Sequence, residues 1–98
     1  MLHIINKSPL ERNSLDSCLR VASEGSILLI EDAVYAATRG HAGASKIEEA
    51  AGRLKIYALL PDLEARGVSD RVLDKIETVD YGGFVDLVAA HPNCQSWL

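Results

Sequence analysis

The stretch that decides the fold is Ser26-Ile27-Leu28-Leu29-Ile30-Glu31-Asp32-Ala33-Val34-Tyr35-Ala36-Ala37. It starts as an unbroken apolar run after the turn signal of Gly25, and such a run predicts a strand buried on both faces. Two acidic residues end the run, and residues that favour a helix follow them. This order is typical of an open α/β sheet, where ligands and reactive groups gather beyond the carboxyl ends of the strands. We therefore expect Glu31, Asp32 and Tyr35 at that edge.

Composition and charge limit the class of protein. The 98 residues predict a single domain spanning positions 1–98. Hydrophobic residues make up 48% of the chain and aromatic residues only 5%, so the core is expected to be aliphatic, which suits a compact α/β fold. The net charge is −4 and the basic residues are scattered. Direct binding of nucleic acid through a phosphate-tracking patch is therefore not expected.

The sequence also bears on the cellular compartment and on metals. The first five residues are too short for the apolar region of a signal peptide, and no apolar run approaches the length needed to cross a membrane. We therefore expect a cytoplasmic protein without a membrane partner. Two cysteines in such a chain are expected to be free thiols. Together with three dispersed histidines they do not supply a zinc site, so no metal and no cofactor are predicted.

Apolar runs alternate with helix-forming segments along the whole chain. Strands are predicted at residues 2–6, 27–30, 54–60 and 76–79, with a last short strand or a docked end at 94–98. Helices are predicted at about 14–24, 32–38, 46–52, 61–65 and 81–91, with caps at Asn13 or Ser14, at Asp32 and at Asp80. Strands that alternate with helices predict an α/β fold, a single three-layer domain with a mostly parallel sheet of about five strands.

Cys18 is the first candidate site residue. A cysteine that accepts sulfur as a persulfide needs a thiolate, a route to solvent and positive charge nearby, and Arg12 and Arg20 are close in sequence. The alternative is a small apolar residue packed beside Leu15 and Leu19, because free cysteine is among the most buried residue types. Helical periodicity places Cys18 next to the apolar stripe of the first predicted helix, and this favours packing.

Other polar residues have simpler interpretations. Cys94 follows a proline near the end of the chain and is interpreted as a tolerated small residue with an accessible thiol. His3 alternates with apolar residues in a predicted strand, so we expect a hydrogen-bonded histidine at the edge of the core. His91 ends a predicted helix, where its charge suits the helix dipole.

Several stretches together are more specific than any one of them. They are Leu2-His3 with Asn6-Lys7-Ser8-Pro9, Asn13-Ser14-Leu15 with Cys18-Leu19, Leu28-Leu29-Ile30-Glu31-Asp32 with Val34-Tyr35-Ala36-Ala37, Leu54-Lys55-Ile56-Tyr57 with Pro61-Asp62-Leu63 and Ala65-Arg66-Gly67, Val79-Asp80-Tyr81 with Phe84-Val85-Asp86-Leu87, and Gln95-Ser96-Trp97-Leu98. In this order, and over the whole chain, they resemble the DsrH/TusB family, and more closely its DsrH branch.

The resemblance implies a DsrE-like (flavodoxin-like) fold and the smallest subunit of a cytoplasmic heterohexamer. The partners implied are DsrE/TusD-like and DsrF/TusC-like subunits, and the complex moves persulfide sulfur between protein cysteines to a DsrC/TusE-like acceptor. The DsrH branch serves dissimilatory sulfur oxidation, and the TusB branch serves 2-thiolation of the tRNA wobble uridine. A further alternative is that this chain forms homo-oligomers when isolated, as isolated members of this fold group can.

The resemblance assigns the principal reactive cysteine to the DsrE/TusD-like partner, so whether this chain is itself an enzyme stays open. Cys18 matches the first-helix cysteine of the DsrH branch, which the TusB branch generally lacks. This match favours sulfur oxidation and makes Cys18 the candidate persulfide carrier. The alternatives are a TusB-type subunit in tRNA thiolation and a scaffold subunit that carries no sulfur.

Overall fold

Five parallel strands form one sheet in the order β4-β3-β2-β1-β5. The computed structural model describes residues 1–8, 14–22, 24–40 and 44–97. The strands are β1 (Leu2–Ile5), β2 (Ser26–Leu29), β3 (Lys55–Leu59), β4 (Glu77–Val79) and β5 (Cys94–Trp97). The helices are α1 (Ser14–Val21), α2 (Ala44–Ala50), α3 (Leu60–Ala65) and α4 (Tyr81–Ala90), with 3-10 helices at Glu31–Ala37 and Ser69–Arg71. The predicted α/β fold with a parallel five-stranded sheet is confirmed.

The decisive stretch lies in the middle of this sheet. All four residues of β2 are buried, as a central strand covered on both faces requires. Ile27 lies between His3 of β1 and Ile56 of β3, and Leu28 lies between Ile4 and Tyr57. Because side chains alternate along a strand, these two rows point to opposite faces of the sheet.

One face of the sheet carries most of the core. The side chains of Ile5, Ile27 and Leu29 on this face pack with Leu15 and Cys18 of α1 in one buried cluster. The same cluster contains residues of the first 3-10 helix, of α2 and of α3: Ala33, Val34, Ala36, Ala37, Ile47, Ala50 and Leu63. The three connections that lead from β1 to β4 therefore all cover this face.

Helix α4 lies on the opposite face. Nε2 of His91, just after α4, lies 3.2 Å from the hydroxyl oxygen of Ser26, whose side chain points away from the main cluster. At the other end of α4, a Cβ added to Gly83 would lie 2.9 Å from Cβ of Val79. The β4–β5 connection reverses direction across the sheet, and a right-handed crossover then places its helix on the second face.

The second predicted helix has a different form and a different start. It is a 3-10 helix that begins at Glu31, one residue before the predicted cap, and no side chain caps it. Its outward residues Asp32 and Tyr35 are three apart, which matches the three residues per turn of a 3-10 helix. The predicted capping role of Asp32 is therefore wrong, because its carboxylate instead pairs with Arg66.

The other differences concern the ends of elements. Helix α1 ends at Val21, before the predicted end at residue 24, and the alternative cap Asn13 lies outside the described residues. Strand β3 is shorter than predicted, because Leu60 already belongs to α3. Asp80 caps α4 as predicted, since its carboxylate oxygen accepts a hydrogen bond of 2.8 Å from the Gly83 amide.

The C-terminal segment is docked, as predicted. Strand β5 pairs with β1, and Nε1 of Trp97 donates a hydrogen bond of 3.1 Å to Nδ1 of His3. His3 is buried, and desolvation, with the nearby N-terminal ammonium as the smaller cause, lowers its pKa. The neutral ring accepts at Nδ1, so the predicted hydrogen-bonded histidine at the core edge is confirmed. None of the described helices is long and apolar enough to cross a membrane.

Gly25 packs against the backbone of Met1 at the start of the central strand, and we expect any side chain at this position to destabilise the fold. Its φ is +110°, and a Cβ there would lie 2.5 Å from the Met1 carbonyl oxygen, a backbone atom that cannot turn away. Gly25→Ala is expected to lower the free energy of unfolding by about 3 kcal/mol in urea denaturation.

Gly67 offers a matched control, because its φ is +67° and no atom lies within 4 Å of an added Cβ. Gly67→Ala is expected to cost about 1 kcal/mol from backbone strain alone. Equal losses in the two variants would contradict the close packing of Gly25 on Met1.

Candidate functional site

Cys18 lies on the inner face of α1 and is fully buried. The spacing of Leu15, Cys18 and Ala22 puts the three residues on one side of the helix, and all of them belong to the main buried cluster. Burial raises the pKa of the Cys18 thiol to about 11. At neutral pH the side chain is therefore a neutral thiol without contact to solvent, whereas the thiolate is the nucleophilic form.

Cys94 is the exposed thiol, and it lies on the edge strand β5. Trp97 packs against the main cluster, and alternation along the strand places Cys94 on the opposite side of the sheet. There it pairs in register with Leu2 of β1. The structure thus keeps the two cysteines on different faces, and their sulfurs are not brought together.

The carboxyl edge of β2 carries the three residues expected there. Glu31 adopts a φ of +50°, which is uncommon for a residue other than glycine. Its backbone amide donates a hydrogen bond of 2.6 Å to Oδ2 of Asp62, which holds the chain in the sharp turn from strand to 3-10 helix. Tyr35 is 41% exposed on the outer side of this 3-10 helix.

Arg66 fixes the same edge from α3. Its Nη2 lies 2.9 Å from Oδ1 of Asp32, its Nε donates to the same oxygen at 3.0 Å, and its Nη1 donates to the Asp62 carbonyl at 3.1 Å. Both partners of the ion pair are partly exposed, so its net contribution to stability is small. The arrangement is a structural clamp between the carboxyl ends of β2 and β3, and its charges already have partners.

Arg66 and Asp62 were not predicted from the sequence as functional neighbours of Asp32. The signal lies in the topology: in a parallel sheet the carboxyl ends of adjacent strands meet at one edge, so residues after β3 face residues after β2. Asp62 and Arg66 follow β3 within or directly after one short helix. Their proximity to Asp32 could therefore have been predicted once β2 and β3 were known to be neighbours.

A groove of about 480 Å³ lies between α1 and α2. It is lined by Asp16, Leu19, Arg20, Lys46, Glu49, Ala50 and Arg53. The guanidinium of Arg53 donates to the carbonyls of Leu19, at 2.8 Å, and of Ala22, and so satisfies the end of α1. The groove carries both signs of charge, with Nζ of Lys46 4.0 Å from Oδ1 of Asp16. Through its two hydrogen bonds, Arg53 anchors the C-terminal end of α1, the helix that contains Cys18.

Among the described residues there is no group of three or more histidine, cysteine or acidic side chains arranged to hold a metal ion. The polar residues that the sequence analysis brought forward occupy separate places in the fold. Cys18 is in the core, Cys94 is on an edge strand, and the acids after β2 are in the clamp with Arg66.

Known structures with the same fold include proteins of distant sequence. The ychN protein from Escherichia coli superposes with a TM-score of 0.82 over 97% of each chain, at 18% sequence identity. A protein of unknown function from Methanobacterium thermoautotrophicum gives a TM-score of 0.75 over 97% of this chain and 95% of that one, at 17% identity. These similarities support the fold alone.

Similarity in sequence extends over the full length. A curated protein named TusB from Pectobacterium parmentieri is 35% identical over 99% of this chain and all of its own length. Proteins of the same name from Escherichia coli and Shigella flexneri are 37% identical over the same shares. The family of DsrH-like proteins matches residues 7–94. The chain therefore belongs to the DsrH family, and the predicted DsrH/TusB-type sulfur-relay subunit, which works with partner subunits, is confirmed.

Proposed function

We propose that this chain, as a single domain of residues 1–98, is the small subunit of a cytoplasmic heterohexamer that moves persulfide sulfur between protein cysteines. Its partners are DsrE/TusD-like and DsrF/TusC-like subunits, and the receiving protein is a DsrC/TusE-like acceptor. The observation that carries this proposal is the full-length match to the DsrH family. The principal reactive cysteine belongs to the DsrE/TusD-like partner.

The geometry of Cys18 supports a principal cysteine outside this chain. In persulfide transfer an acceptor thiolate attacks the outer sulfur of a donor's S–SH group. The donor S–S bond breaks, the donor leaves as a thiolate, and no net oxidation occurs. The attacking group must be ionised and accessible. A thiol that is fully buried, with a pKa raised to about 11, meets neither condition while α1 packs on the core.

Sulfur loading on Cys18 itself stays a prediction, and it is the second role we propose for this subunit. It is favoured by the match between Cys18 and the first-helix cysteine of the DsrH branch. Loading requires α1 to open, and the contacts that hold its end are the Arg53 hydrogen bonds to the carbonyls of Leu19 and Ala22. While α1 packs on the core the subunit acts as a scaffold, and Cys18 becomes a secondary carrier only when α1 moves away from the core.

The process that the relay serves has two candidates. The Cys18 match favours dissimilatory sulfur oxidation, and the full-length relatives named TusB favour tRNA thiolation. Expression of this chain in Escherichia coli lacking TusB separates them, with 2-thiolated wobble uridine in tRNA as the measured product. We expect no restored thiolation if the chain is specific for sulfur oxidation, with the native TusB as positive control. Restored thiolation contradicts the sulfur-oxidation assignment.

The division of labour predicts where sulfur resides in the assembled complex. After incubation of the complex with polysulfide at neutral pH, intact-mass spectrometry is expected to find added sulfur on the DsrE/TusD-like partner. We expect less added sulfur on Cys18 than on the partner, because the Cys18 thiol is neutral and enclosed while α1 packs on the core.

Three variants make this measurement decisive. Cys18→Ala keeps an apolar side chain in the core, Cys18→Ser tests the thiol with a closer isostere, and Cys94→Ser removes the exposed thiol. Added sulfur on this chain that disappears in both Cys18 variants and persists in Cys94→Ser establishes Cys18 as a carrier. That result contradicts a pure scaffold. Sulfur that disappears only in Cys94→Ser reports reaction of the exposed thiol with polysulfide.

A further inference from the structure

Helix α4 is apolar and yet exposes much of its apolar surface. None of its ten residues is buried. Tyr81 is 62% exposed, Val85 65% and Val88 39%, while Phe84 and Leu87 are half-buried. Asp86 is the one charged residue in the helix. A helix with this composition is normally covered by other apolar groups.

The other helices on the surface are built differently. Helix α1 carries Asp16 and Arg20, α2 carries Lys46, Glu48 and Glu49, and α3 carries Asp62 and Glu64. These three helices all bury apolar residues in the main cluster and turn charges to solvent. Helix α4 thus differs from the helices of the first face in both respects.

The apolar residues of α4 form two stripes. Phe84, Leu87 and His91 are spaced by three and four residues, and the contact of His91 with Ser26 identifies this stripe as the one that faces the sheet. Tyr81, Val85 and Val88 are spaced by four and three residues and form the outer stripe. Such spacing is typical of a helix seam that packs against apolar groups of another element.

The sheet beside α4 is also incompletely covered. Ile4 and Tyr57 share a row with Leu28 on this face, and both are half-buried although Leu28 is fully buried. One helix covers a width of about 10 Å, and five strands at about 4.8 Å spacing extend well beyond it. The apolar surface therefore continues from the outer stripe of α4 onto the flanking sheet.

The charge of this surface argues against a second copy of the chain as its occupant. A ten-residue helix is about 15 Å long, so a contact confined to α4 buries on the order of a few hundred Å², against about 800 Å² per partner in a stable complex, and any stable partner must also cover the flanking sheet. A twofold contact centred on Val85 would also bring two Asp86 carboxylates close together. Both chains would carry a net charge of −4, which adds to the repulsion.

We propose that the outer face of α4, together with the half-buried sheet residues Ile4 and Tyr57, docks a partner subunit of the sulfur-relay complex. The partner presents an apolar surface that straddles α4 and a basic side chain opposite Asp86. This inference rests on the proposed function, because the occupant is one of the related subunits of that complex. It assigns the assembly surface of this chain to the face opposite Cys18.

Two valines give a closely matched test. Val85 in α4 is 65% exposed and Val21 at the end of α1 is 67% exposed, so glutamate at either position is tolerated by the isolated fold. Each variant is co-expressed with the DsrE/TusD-like and DsrF/TusC-like subunits, one of which carries an affinity tag. Thermal unfolding of each purified chain verifies that it is folded.

We expect wild type and Val21→Glu to copurify with the partners. The amount of Val85→Glu that copurifies is expected to be at least tenfold lower. Asp86→Lys is expected to weaken the complex as well, because it reverses the charge that faces the basic partner residue. Copurification of Val85→Glu at the wild-type level overturns the docking surface and leaves the proposed function intact. Failure of wild type to copurify overturns both. A stable homodimer of wild type that Val85→Glu dissociates makes a second copy the occupant and overturns the proposal.

Discussion

The handedness of the strand connections governs the whole molecule. A parallel strand, crossover and next parallel strand turn to the right in nearly all proteins. From β1 to β4 the chain advances in one direction across the sheet, so all three connections lie on one face. The last connection reverses direction to place β5 beside β1, and its helix α4 is therefore, among the described helices, the one on the other face. The sheet thus has one thickly covered face and one thinly covered face.

This asymmetry separates two properties of the chain. The thick face encloses Cys18 in an apolar cluster, which raises its pKa and stabilises the neutral thiol. The thin face leaves the outer stripe of α4 open and supplies the apolar surface that an assembly needs. This organisation fits the proposed division of labour, in which this subunit holds a partner in place and the partner's cysteine carries out the transfer chemistry.

Sequence patterns predicted the parts of the fold that depend on local chemistry. The apolar run of β2, the cap at Asp80 and the docking of Trp97 each follow from residues close together in the chain or from a large apolar area. The clamp of Arg66 on Asp32 and the hold of Arg53 on α1 join residues more than thirty positions apart, so local periodicity carries no signal for them. The alternatives for Cys18 could not be separated, because a residue beside an apolar stripe is buried or exposed according to the neighbouring elements. The exposure of α4 could not be predicted from the sequence either, because its apolar pattern is the same whether the sheet or a partner covers it.

The assembly side of the chain can be measured directly by amide hydrogen exchange, comparing the isolated chain with the reconstituted complex. The account predicts that the amides of α4 exchange at least tenfold more slowly in the complex, because the partner covers the thin face. It predicts unchanged exchange in α1 and α2, which lie on the opposite face. Slower exchange in α1 and α2 with no change in α4 would contradict the account and would place the partner over the helix that contains Cys18.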